Sequence, residues 1–210
     1  PDRVLPSSPA RDLVLTNEVP ERSAGPPSGP PPGRRRRRWR IAGLVALVLL
    51  IGFGAATARL FVWPARGMPA RVDAIVMLDG PGDRLHTAEA LAWQHRAGTL
   101  VVSRGSPVYG HGTSCAARIP GVRVICFNPQ PSTTQGEAQF AGRLARQYHW
   151  RSIVLVTITP QDTRARIRME RCFSGQVYVM TAPMPRHDWP YEIAYEWTAT
   201  IKALTINRSC

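Results

Sequence analysis

In TITPQDTRAR (157–166), Thr159 reads as a helix N-cap, Pro160 as the first helical residue and Asp162 as the acid of a capping box. Arg164 then falls near the positive end of its own helix, where the macrodipole disfavours a cation. Arg84 takes the same place at the start of an earlier helix. An anion lying between the two would relieve both, because the free N–H groups of a helix start favour negative charge as well. The chemistry these residues suggest is capture of a phosphate or carboxylate. Arg84, Arg104 and Arg164 would hold the charge, and Glu137 or Asp83 would exchange a proton.

Structural readings compete for the same residues. Thr134 and Glu137 stand at capping-box spacing in T-Q-G-E, and Asp79 and Asp83 can simply end a strand and cap the next helix. Arg164, Arg166, Arg168 and Arg171 can form one solvated helix face. DGPGD (79–83) resembles a phosphate loop but lacks P-loop spacing and a full G-x-G-x-x-G.

The elements that must position these residues alternate along the chain. Apolar runs at 72–78, 99–103, 122–127, 152–157 and 176–180 read as strands. Helical patterns at 84–97, 134–148, 160–172 and 191–203 follow four of them, with a short helix near 114–118. Apolar runs without alternation, each leading to a helix, predict a mainly parallel five-stranded sheet covered on both faces, a doubly wound α/β domain. Ligands of such sheets bind where the strands end. That rim collects Asp79, Gly80, Gly82, Asp83 and Arg84 after the first strand and Ser103, Arg104, Gly105 and Ser106 after the second. Ser132, Thr133, Thr134 and Glu137 follow the third, and Thr157, Thr159, Gln161 and Arg164 the fourth.

The domain occupies 72–210. Residues 1–40 are a Pro- and Arg-rich tail, its first 33 residues too poor in apolar side chains to order. Eighteen uncharged residues follow at 41–58, and continuing to Trp63 gives a span of 41–63, long enough to cross a bilayer. Trp39 and Trp63 stand where interfacial aromatics belong. A cleaved signal peptide is the competing reading, but its basic segment would be far too long and no small-x-small site follows. Six arginines precede the span against three near or beyond its end. The N-terminus is therefore expected in the cytoplasm, and the domain outside after a linker at 64–71.

The formal charge is +13, of which residues 72–210 carry only +5. A nucleic-acid domain would concentrate charge on its folded surface, so none is expected as a partner. His111 and Cys115 lack a second pair, so no metal is expected. No G-x-S-x-G signals a hydrolase. All four cysteines lie in the outer domain, as in an oxidising compartment. Bridged Cα atoms lie within about 7 Å, whereas a strand separates the two edges of the sheet by roughly 17–20 Å. Of the three connectivities only Cys115–Cys126 with Cys172–Cys210 pairs cysteines on the same edge; four free, partly buried thiols are the rival, expected of a cytoplasmic domain.

These segments resemble a family of bacterial envelope proteins of unknown function typified by YdcF, SanA and ElyC. Its opening D-A-I-V-V-L-G-G with an Arg beyond is similar to DAIVMLDG (73–80) and Arg84. Its S-G-G is similar to Ser103-Arg104-Gly105, and its S-x-N-T-x-E-N-A to STTQGEA (132–138). Its V-T-S-x-Y-H-M-x-R-A is similar to VTITPQDTRA (156–165), and its last helix to YEWTATIKAL (195–204) with Glu196. Gln161 stands where the family has His, Glu137 where it has Asn, and Asp79 where it has Gly. The resemblance implies a Rossmann-like fold, a membrane anchor and a role in envelope or lipid-carrier metabolism, and it adds Glu196 to the rim. S-adenosylmethionine, associated with one member, is the cofactor it suggests. Two expectations result: an anchored domain binding an anionic, phosphorylated or lipid-linked ligand, and a non-catalytic domain engaging an envelope protein partner through the same rim. A methyltransferase using S-adenosylmethionine is a third.

Overall fold

The computed structural model describes residues 32–64, 67–105, 115 and 118–210. The tail at 1–31, Ser106 and most of the short helix expected near 114–118 lie outside them. Residues 46–210 form one compact unit.

The uncharged run is helical. Helix α1 covers Pro32–Thr57 and is prolonged by a π-helical turn, Ala58–Val62. Arg35–Val62 is long and apolar enough to cross a membrane.

The five apolar runs become strands β1 (Ala74–Met77), β2 (Thr99–Ser103), β3 (Arg123–Phe127), β4 (Ser152–Ile158) and β5 (Gln176–Ala182). They pair in the order β3-β2-β1-β4-β5, every pair parallel. All of β1 is buried, which is why its sequence shows no alternation. Successive side chains still point to opposite faces. Val76 joins Val101, Ala141, Leu144, Leu155 and Met169 in one core. Ile75 and Met77 join Ala88, Leu91, Leu100, Val102 and Val156 in the other. Helix α2 (Arg84–Trp93) therefore covers one face, while α3 (Thr134–Gln147) and α4 (Asp162–Cys172) cover the other. Helix α5 (Trp189–Thr205) packs on α4.

Three local expectations need correction. The N-cap of α3 is Thr133, whose hydroxyl accepts the Gly136 N–H at 3.3 Å. Thr134 is already helical, and the Glu137 carboxylate turns away to accept the Asp79 N–H at 2.7 Å. No T-Q-G-E capping box forms, because a partner across the sheet competes for that carboxylate. Thr159 likewise does not cap: Thr159–Gln161 form a 3-10 turn and α4 begins at Asp162.

The arginines of α4 are not a solvated face either. Arg166 donates to Val177 O at 2.8 Å and pairs with Asp162 at 3.6 Å. Arg168, buried, donates to Asn207 O, and Arg171 donates to Ala203 O at 2.8 Å and to Asn207 O at 3.1 Å. Arg168 and Arg171 thus meet carbonyls at and just beyond the end of α5, where the macrodipole favours a cation. Both expected disulfides are present at the same-edge pairs, with Cα–Cα separations of 5.8 Å for Cys115–Cys126 and 4.9 Å for Cys172–Cys210.

Candidate functional site

Strand β1 pairs with β2 on one side and β4 on the other. The chain leaves β1 for α2 on one face and β4 for α4 on the opposite face. Their carboxyl ends therefore open a crevice at a topological switch point, the general ligand position of open parallel sheets. Two hydrogen-bonded networks line it.

The first follows β1. Arg84 is 2 % exposed and folds back under its own loop. It donates from Nε to Pro81 O at 2.7 Å and from Nη1 to Asp79 O at 2.7 Å and Leu78 O at 3.2 Å. Burial lowers its pKa to about 10, opposed by the nearby charges of Glu137 and Asp79. Gly80 and Gly82 have φ of +134° and +89°. A Cβ on Gly80 would stand 2.7 Å from Arg84 Nη2, and one on Gly82 the same distance from Ile158 Cγ2. The glycines of DGPGD thus let the loop close over Arg84 and against β4. The Asp79 carboxylate lies against Gly105, where a Cβ would come within 2.9 Å of Oδ1.

Glu137 sits beneath this loop, 3 % exposed. Burial pushes its carboxyl up to about 7, against the pull of the Asp79 N–H, the Ser103 hydroxyl and the Arg84 charge. Ser103 Oγ is buried and closes no regular hydrogen bond among the described residues. A buried carboxyl that exchanges its proton near neutrality has the property required of a general acid or base.

The second network follows β4. The buried Thr157 hydroxyl donates to Gln161 Oε1 at 2.7 Å, and Gln161 Nε2 donates to Thr134 Oγ1 at 3.1 Å. Arg164 Nη1 donates to the same Thr134 oxygen at 2.8 Å. Arg164 Nε and Nη2 grip both oxygens of Glu196 at 2.6 Å each, a bidentate pair whose carboxylate is 1 % exposed. Its guanidinium carbon lies 5.6 Å from the centre of the Tyr195 ring. Burial pulls the Arg164 pKa down, but its hydrogen bonds to Glu196 outweigh this and raise it. The anion that the helix start requires beside Arg164 is therefore supplied by the chain, from α5.

Thr134 Oγ1 accepts from two donors and donates to no other described residue. Its own proton is used by neither of these two bonds. Asp83, Arg104 and Thr133 are exposed around it. Arg104 lies at the end of β2, its N–H donating to Phe127 O at 2.9 Å. The crevice therefore gathers Asp79, Gly80, Gly82, Arg84, Ser103, Gly105, Thr134, Glu137, Thr157, Gln161, Arg164 and Glu196. Thr159 turns instead to a neighbouring cavity of about 600 Å³, lined also by Thr181, Pro183, Met184, Arg186 and Trp189.

That cavity was not legible in the sequence, because the stretch after β5 has no rim motif. Glu192 is a second residue the motifs did not mark. Its carboxyl is raised, by burial first and Glu196 next, with Arg84 and Arg164 opposing. Among the described residues no group of acidic, His or Cys side chains is arranged to hold a metal ion. No protein-family model, curated protein or solved structure matches this chain.

Proposed function

We propose that this is a membrane-anchored envelope protein whose Rossmann-like domain, facing outward, binds an anionic ligand at the switch point between β1 and β4. The observation that carries the reading is the arrangement around Thr134. A hydroxyl that accepts from both Gln161 and Arg164 stands at the start of α3, one turn from Glu137, whose carboxyl is raised to about 7. Such a site offers N–H, O–H and protonated carboxyl donors together, which suits a phosphate or carboxylate. Exposed Arg104 supplies the approaching charge. Arg84 and Arg164, engaged with Asp79 O and Glu196, shape the walls rather than act as free cations. The apolar helix, its flanking arginines and the two disulfides support an anchored, extracytoplasmic placement. The resemblance to the YdcF, SanA and ElyC family supports an envelope or lipid-carrier role.

Gln161 favours a second reading, binding without turnover. It occupies the position of the family His, has no titratable proton, and is fixed at both ends by Thr157 and Thr134.

The test is calorimetric titration of the full chain in nanodiscs with inorganic phosphate, diphosphate, phosphorylated lipid head-group analogues and S-adenosylmethionine. A phosphorylated compound is expected to bind, and Arg104→Ala and Thr134→Ala are each expected to weaken it about tenfold, the worth of one charge-assisted hydrogen bond. Equal binding by both variants, or binding of S-adenosylmethionine alone, would overturn the reading.

A further inference from the structure

Helix α5 presents three sides. Glu196, Thr200 and Ala203 are buried. Lys202, Tyr191 and Tyr195 are exposed on the side away from them. Between these, Trp197 packs on the apolar helix near the N-terminus. Its ring stacks on Phe53 with centroids 5.2 Å apart, meets the edge of Phe61 at 5.1 Å, and donates from Nε1 to Thr57 Oγ1 at 3.1 Å. Phe61 is fully buried, and Thr163 donates to Leu60 O at 2.6 Å. The end of the apolar helix is thus part of the domain's own packing, with no free linker between Phe53 and α4 or α5.

At about 100° per residue, Ile201 and Leu204 lie within roughly 40° of Trp197 around the axis of α5. They share its side and are 52 % and 48 % exposed. Pro190 and Ala194 extend the same stripe toward the helix start, and both are exposed. The stripe is therefore apolar, unpartnered beyond Trp197, and continuous with the surface of a helix fit to cross a bilayer. Phe53 belongs to the uncharged run and precedes Val62 by about 13 Å along the helix. A side chain stacked on it stands no farther out than the membrane interface, where Trp and an amphipathic helix are both favoured.

We propose that α5 lies on the outer membrane interface, its Trp197–Ile201–Leu204 stripe seated among the lipids beside the anchor. This rests on the anchored reading and deepens it. Glu196, next to Trp197, ties the crevice network to the same helix, so the ligand site stands about one helix width from the lipid surface. A ligand carried on a lipid reaches such a site without leaving the membrane.

All four native cysteines are bonded, so a cysteine placed at Ile201, Leu204 or Lys202 is the sole thiol for a nitroxide label. The full chain is reconstituted in vesicles of phosphatidylcholine and phosphatidylglycerol, and collisions with oxygen and with a water-soluble nickel chelate are measured. Labels at 201 and 204 are expected to favour oxygen over the chelate several-fold more than the label at 202. Equal ratios at the three positions, in protein that floats with the vesicles, would overturn the inference alone. Shielding from both reagents with dipolar broadening would overturn it in favour of a second copy on this face. Failure to float would overturn the anchored reading and this inference with it.

Discussion

Two carboxylates accept backbone N–H groups at opposite edges of the sheet, and they behave differently. At the amino edge, Asp73 Oδ2 accepts the Arg151 N–H at 2.7 Å, the Ser152 N–H at 2.8 Å and the Ser152 hydroxyl at 3.1 Å. Partial burial pulls its pKa up, but these bonds outweigh it and hold the group below its usual value. At the carboxyl edge, the far more buried Glu137 accepts one N–H and is pushed up to about 7. The same bonding device gives a staple between β1 and β4 that favours its ionised form where water helps. It gives a group that exchanges protons near neutrality where water is excluded. Burial therefore separates the two: Glu137 is raised at the switch point, and Asp73 is held ionised at the opposite edge.

The largest effect expected of this contrast belongs to Arg164 and Glu196. Glu196→Gln removes the charge that balances a buried guanidinium, and breaking such a pair costs about 3–5 kcal/mol. Arg164→Met combined with Glu196→Leu removes both charges and should recover most of the loss. Urea denaturation of the full chain in detergent reads both. A single variant within about 1 kcal/mol of wild type would show that water reaches this edge.

Glu137 sharpens the comparison through pH. Its folded pKa is raised from 4.5 to about 7, so below pH 4.5 both folded and unfolded chains hold the proton and stability is unaffected. Between 4.5 and 7 the unfolded chain releases the proton first, and stability falls by roughly 3 kcal/mol as pH rises. Glu137→Gln keeps an acceptor for the Asp79 N–H and cannot ionise. It should lose the decline and be the more stable protein at pH 8. Parallel stability–pH curves for variant and wild type across that window would remove Glu137 as the proton-exchanging group.

Much of this architecture can be read from local pattern, and the site much less so. Apolar runs such as IVLV announce buried parallel strands because both faces of each strand demand apolar side chains. The rim follows once their order is known. What local pattern could not supply are acceptors brought from elsewhere. Arg164 meets Glu196 across 32 positions and Arg168 meets Asn207 across 39, so a row of arginines on α4 looks solvated until α5 returns beside it. The resemblance marked Glu196 as a rim residue without pairing it. T-Q-G-E has capping-box spacing, but spacing cannot report that a backbone N–H from the loop after β1 competes for the carboxylate. Disulfide pairing was legible because strand length alone separates the two edges.

The smallest expected effect belongs to Asp73, and it probes the other half of the comparison. Because its pKa is lowered, its contribution is present above the ordinary value of 3.8 and is lost as pH falls through the folded value. The residue is exposed, so solvent screening limits that contribution to less than about 1 kcal/mol. Asp73→Asn retains one oxygen for the Arg151 and Ser152 N–H groups and should cost little at pH 7. It should leave the window from 4.5 to 7 unchanged, because that window belongs to Glu137, and should flatten only the acid limb below about pH 4. Denaturation midpoints for Asp73→Asn, Glu137→Gln and the double variant at pH 3, 6 and 8 separate the two limbs. With the carboxylates at opposite ends of the strands, their effects should add within about 0.5 kcal/mol. A larger coupling would mean that protonation at one edge is felt at the other, and that the sheet does not insulate its staple from its site.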